Sequence, residues 1–160
     1  MNDLLNKISS YNLFNYLLPG VLFVVILNKF AIYPFALNDV IVDAFVCYFI
    51  GLAISRFGSL IVEPVLKKIS FLHFADYASF ASASKKDSGI ATLSEANNMY
   101  RTLSAMFILL ILLKFYEWIE FKLPALKEWN PYILVALLLI MFLFSYRKQT
   151  KYIKERIKAK

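Results

Sequence analysis

Cysteine, histidine and acidic residues are scarce in this chain, and each scarcity excludes something. With one cysteine, Cys47, no disulfide closes within the chain and no cysteine-based metal cluster forms. The one histidine, His73, sits among Phe71, Leu72 and Phe74, with only Asp76 and Tyr77 near it as further ligand types. It reads as a packed or interfacial side chain, and it offers little from which to build a serine or cysteine triad. No Walker loop, glycine-rich dinucleotide turn or zincin helix is present among the 160 residues. Charge is thin as well, at 18% of residues against a usual value of about 25%. What fills the chain is apolar: 60% hydrophobic and 17% aromatic, an excess that points to lipid as solvent rather than to a larger core.

A bilayer core about 30 Å thick needs roughly 20 mostly apolar helical residues. Four stretches meet or approach that length: 17–35, 40–66, 103–121 and 131–146. The expected fold is an all-α membrane protein forming a single membrane domain, with four transmembrane helices, an N-terminal amphipathic helix and a cytoplasmic helical hairpin between the second and third spans. Residues 1–16 carry Leu4, Ile8, Tyr11 and Phe14 at spacings of three and four, as an interfacial helix does. Pro19-Gly20 is expected to break or kink the chain where it enters the bilayer, the alternative being one long kinked helix over 4–35. The amino end lacks a basic region followed by a compact apolar core and a small-residue cleavage site, so the first span is expected to be retained. Residues 67–100 form the hairpin, with a turn near Asp87-Ser88-Gly89 and a possible capping box at Thr92-Leu-Ser-Glu95. Residues 147–160 form a basic tail.

The net charge of +7 is segregated. Thirteen basic residues fall on one side of the four spans: Lys7, then Lys67, Lys68, Lys85, Lys86 and Arg101, then Arg147, Lys148, Lys151, Lys154, Arg156, Lys158 and Lys160. Three fall on the other, Lys29, Lys122 and Lys127, with Arg56 and Lys114 inside spans. By the positive-inside rule both termini and the central loop of this multi-pass chain are expected to be cytoplasmic. Trp118, Trp129 and Tyr132 then lie at the outer boundary, and Tyr16 and Tyr146 at the inner one.

Arg56 and Glu63 stand out in the second span. Arg56 lies ten residues before Leu66, about 15 Å from the inner end and too deep for easy snorkelling; Glu63 is two turns further on. Each needs a sheltering partner, because ionised groups in hydrocarbon are costly. Arg101 is the favoured partner for Glu63, and Glu117 or Asp43 for Lys114. Gly51, Ser55, Gly58 and Ser59 share the same face and permit close helix approach, against the third span or against copies of the chain. Arg56 and Glu63 read first as buried structural groups that fix helix register, with a gate, ion path or signal-sensing switch as the alternative. Asn97, Asn98 and Arg101, with Lys85 and Lys86, make a candidate docking patch for a partner. Arg147, Lys148, Lys151 and Lys154 are candidate contacts for anionic lipid, and no direct nucleic-acid contact is expected. No cofactor or metal site is read.

The segments NLFNYLLPGVLF at 12–23, GLAISRFGSLIVEPVLKK at 51–68 and LSEANNMYRTL at 93–103 resemble small four-span bacterial membrane proteins of the KwaA type, the membrane component of the Kiwa anti-phage defence system. The resemblance implies a homo-oligomeric inner-membrane assembly working with a cytosolic DNA-binding partner of the KwaB type. The expected function is therefore that of a non-enzymatic scaffold or sensor that recruits this partner. The alternative is an oligomeric pore-forming or ion-conducting effector, with polar residues of the second span lining the path. A lipid-modifying enzyme is disfavoured because no acid-base or metal constellation is assembled.

Overall fold

The computed structural model describes residues 12–30 and 39–158, and all of its regular structure is helical. Its helices are α1, Leu13–Phe30; α2, Val40–Lys68; α3, Tyr77–Lys86; α4, Gly89–Lys122; and α5, Leu126–Lys158. All but α3 are long and apolar enough to cross a membrane, so the chain is an all-α protein with four candidate spans. Residues 31–35 of the first expected span and 1–11 of the expected interfacial helix lie outside the described residues.

Pro19-Gly20 does not break the chain. α1 runs unbroken through it, because its first turn, Leu13–Leu17, is a π turn in which the Leu18 N–H reaches back to the Leu13 carbonyl. The same device recurs in α2, where the π turn Gly58–Val62, closed by Glu63 N–H on the Gly58 carbonyl, precedes Pro64. A proline ring collides with the carbonyl four residues back and supplies no N–H. A locally widened turn accommodates both defects without ending the helix.

The spans also run longer than their apolar cores. The third, expected over 103–121, is the middle of one helix that starts at Gly89, and the fourth, expected over 131–146, begins at Leu126 and continues to Lys158. The expected capping box at Thr92 is therefore not a helix start: Thr92 lies inside α4, and Asp87 Oδ1 accepts from Gly89 N at 2.8 Å instead. Nor is α3 a continuation of α2. α2 stops at Lys68 with Ser70 at φ 59°, where Phe71 N bonds the Leu66 carbonyl and Ser70 N bonds the Lys67 carbonyl, each at 3.0 Å. That pair of bonds is a Schellman ending. An irregular link leads on to Asp76, which caps α3 through Ser79 N at 2.8 Å.

α2 is the hub. Its apolar stretch is 39% buried within the chain, against 6% for α5. The core is small, with Phe23, Ile54, Val62, Ala105 and Met106 buried where α1, α2 and α4 meet. Most other large apolar side chains face outward, as lipid-facing positions do.

Candidate functional site

The close approach of α1 to α2 sets the positions of the polar groups inside the bundle. A Cβ on Gly20 would overlap the Cys47 carbonyl, and one on Gly51 would overlap the Tyr16 carbonyl, so these backbones touch. Glycine allows this contact in a way no side chain does. Gly51 thus serves the α1–α2 contact, while Gly58 meets Ala105 and Arg101 of α4. The small-residue face, expected to meet the third span or copies of the chain, is divided among helices, with Gly51 against α1, Ser55 and Gly58 against α4 and Ser59 against α5.

Against this contact sits a buried polar joint. Thr102 Oγ1 lies 2.9 Å from Asn15 Oδ1, 3.2 Å from Ser55 Oγ and 2.9 Å from the Asn98 carbonyl, tying α1, α2 and α4 at one level. Asn15 and Thr102 are almost wholly buried. A single hydroxyl proton serves only one of these acceptors, so the Ser55 hydroxyl donates toward Thr102 as Thr102 donates elsewhere.

One to two turns further along α2 the groups become ionic. Glu63 Oε2 accepts from Arg101 Nη1 at 2.9 Å, the pairing expected from the sequence, and its Oε1 accepts from Lys67 Nζ at 3.0 Å. Lys67 also lies over the Phe74 ring at 4.0 Å, which pins the link after α2. Arg56 Nη2 donates to the Tyr16 hydroxyl at 3.3 Å. Tyr16, expected at the inner boundary, is buried inside the bundle. Lys148 Nζ donates to the Ser59 carbonyl at 2.6 Å and to Ser59 Oγ at 2.8 Å, joining α5 to α2.

These contacts bring the start of α1, the end of α2, the start of α4 and the end of α5 to one end of the bundle. Ser59 follows Arg56 by three residues on α2, so Lys148, the second basic residue after the apolar run of α5, reaches within about one turn of Arg56. At the opposite end Lys114 pairs with Glu117 at 2.8 Å and donates to the Phe30 carbonyl at 3.1 Å, while Asn130 Nδ2 donates to Glu120 at 2.6 Å.

Of the docking candidates, Lys85, Lys86 and Asn97 are exposed. Asn98 gives its carbonyl to Thr102, and Arg101 is committed to Glu63. Of the lipid candidates, Arg147, Lys151 and Lys154 are exposed, with Lys151 3.8 Å from Glu155, whereas Lys148 turns inward. His73 is exposed in the link before α3, and among the described residues no three His, Cys, Asp or Glu side chains converge as metal ligands do. Asn15 and Thr102 are members of the joint that the sequence does not single out, and it names Tyr16 and Gly20 only as a boundary aromatic and a kink. Their only signal is that polar or small residues recur in otherwise apolar helices.

What the joint does physically is lock helix rotation, since hydrogen-bonded and ion-paired side chains in an apolar setting tolerate little misregister. Set against family models, curated proteins and solved structures, the chain gives no match in any of the three comparisons.

Proposed function

We propose that this chain is a non-enzymatic membrane scaffold or sensor whose polar outcrop, α3 with the first turns of α4, docks a soluble partner. The observation that carries the reading is the continuity of α4. Its 34 residues form a rod about 50 Å long, exposed and polar at Asn97 yet locked to α1 and α2 at Thr102 and to Glu63 through Arg101. A membrane disturbance that shifts the packing of α1 against α2 changes the seat of Thr102 and Arg101. A stiff helix then carries that shift to the outcrop. α3 has no buried residues of its own, so its surface is available for docking.

The segments over 12–23, 51–68 and 93–103 that resemble KwaA-type proteins of the Kiwa anti-phage system fall on this same joint. On that resemblance the assembly is a homo-oligomer in a bacterial inner membrane, with both termini and the outcrop cytoplasmic, and the partner is a cytosolic DNA-binding protein of the KwaB type. The concentration of basic residues at the end holding the outcrop and tail supports that orientation.

The test is deletion of 76–95 followed by purification from detergent-solubilised membranes. Loss of the co-purified partner with the protein still membrane-inserted is the expected result. Full partner retention overturns the docking reading, and ion flux through the intact protein in liposomes would favour the pore-forming alternative instead.

A further inference from the structure

Between α2 and α5 lies a small recess of about 20 Å³, lined by Arg56, Ser59, Ser145, Lys148 and Gln149, and open on one side. Its electrostatics are unbalanced. Lys148 lies within electrostatic reach of Glu63, Arg101, Lys67 and Arg56, so four cations share one carboxylate, an excess of three positive charges (4 − 1). Glu63 is occupied by Arg101 and Lys67. Among the described residues, neither Arg56 nor Lys148 has a carboxylate within ion-pair distance.

A second, independent observation is Ser145. It is 9% exposed, and its buried hydroxyl has no hydrogen-bond partner among the described residues. A buried hydroxyl left unpaired is costly, as are half-buried cations without counter-charge. An oxyanion seated in the recess removes both costs at once, accepting from Arg56, from Lys148 and from Ser145.

We propose that this recess binds one phosphate-type oxyanion, supplied by the headgroup of an anionic phospholipid. The volume admits an oxygen or two of the phosphate while the rest stays outside, and a guanidinium and an ammonium are the usual phosphate-binding pair. The source is argued from position. Ser145 ends the apolar run of α5, and Leu143 and Phe144, which directly precede it, are exposed as lipid-facing side chains are. Headgroup and chains thus each meet matching surface. This site is separate from the exposed basic tail, whose attraction to acidic lipid is diffuse, and it does not depend on which partner the outcrop docks.

The test uses the full chain in a neutral detergent, titrated separately with phosphatidylglycerol, phosphatidylcholine and inorganic phosphate. Thermal stability and lipid adducts in intact-mass spectra are the readouts. Phosphatidylglycerol is expected to raise the melting temperature saturably and to persist as a single adduct, with phosphatidylcholine showing neither effect. In Arg56→Gln/Lys148→Gln the apparent affinity falls about tenfold or more, while Lys151→Gln/Lys154→Gln keeps it. Ser145→Val, which fills the recess and leaves every charge in place, is expected to match the double variant and decides the matter should that variant fail to fold. Equal stabilisation by phosphatidylcholine, or undiminished phosphatidylglycerol binding in Ser145→Val, overturns the site. Stabilisation by inorganic phosphate equal to that by phosphatidylglycerol overturns the lipid source.

Discussion

Arg101 on α4 and Glu63 on α2 meet at 2.9 Å, with Glu63 only 11% exposed at its side chain and Arg101 21%. The carboxylate is shared with Lys67, so neutralising it strands two cations at once. Glu63→Gln is expected to destabilise the bundle by about 1–3 kcal/mol, below the range for a fully buried pair because both partners keep some solvent contact. Thermal melts of the purified protein measure it. The swap Glu63→Arg/Arg101→Glu should recover part of the loss, which a purely steric role for Glu63 would not allow.

The α1–α2 contact predicts a graded glycine series. Gly20→Ala and Gly51→Ala each drive a Cβ into backbone that cannot rotate away, against Cys47 and Tyr16 respectively, and should cost about 3 kcal/mol or more or prevent accumulation in the membrane. Gly58→Ala meets the Ala105 Cβ at 3.1 Å and needs only a small adjustment. It is expected to remain folded, with a melting temperature a few degrees lower. Equal effects at all three positions would refute the close contact.

Thr102→Val keeps the shape of a fully buried residue and removes its hydroxyl, leaving Asn15 Oδ1 and Ser55 Oγ without that partner. Interhelical hydrogen bonds in membranes are worth about 0.6 kcal/mol on average. Because the substitution removes more than one such bond, a drop of about 1–2 kcal/mol is expected. A double-mutant cycle with Asn15→Leu should show coupling between the two positions.

Ser70 holds a left-handed backbone, φ 59°, at the Schellman end of α2. Glycine carries no penalty there. Ser70→Gly is therefore expected to stabilise by about 0.5–1 kcal/mol, readable as slower hydrogen exchange at residue 70 and Phe71, whose amides close the motif.

The α3 cap is sensitive to acid. Hydrogen bonds from the Ser79 hydroxyl and backbone N–H hold the Asp76 carboxyl below its ordinary 3.8. A depressed folded-state value contributes stability that is present above the ordinary value and is lost as pH falls through the lowered one. Helix content in α3, followed by amide exchange, should thus be constant down to about pH 4 and decline below it. Asp76→Ala should show weaker protection that no longer changes over that interval.

The sequence by itself determined the solvent and the number of spans, because a 60% hydrophobic composition in runs of bilayer length has few other stable outcomes. It also identified Arg56 and Glu63 as groups needing partners and favoured Arg101 for Glu63, since both are charged near the same end of their spans. It did not show that Lys148 reaches Ser59, one turn from Arg56, or that Tyr16 is buried inside the bundle. Depth and burial depend on how helices slide and rotate against each other, and helical periodicity contains neither quantity.

Tertiary structure alone decided that Gly20 and Gly51 would join α1 to α2, that Asn15 would reach Thr102 across 87 positions of sequence, and that Lys148 would turn from the basic tail toward Ser59. Two π turns ahead of Pro19 and Pro64 rotate the downstream part of each helix by an extra residue's worth of turn. That rotation sets which side chains face the interior, and it arises from packing and proline sterics acting together, which no single segment encodes.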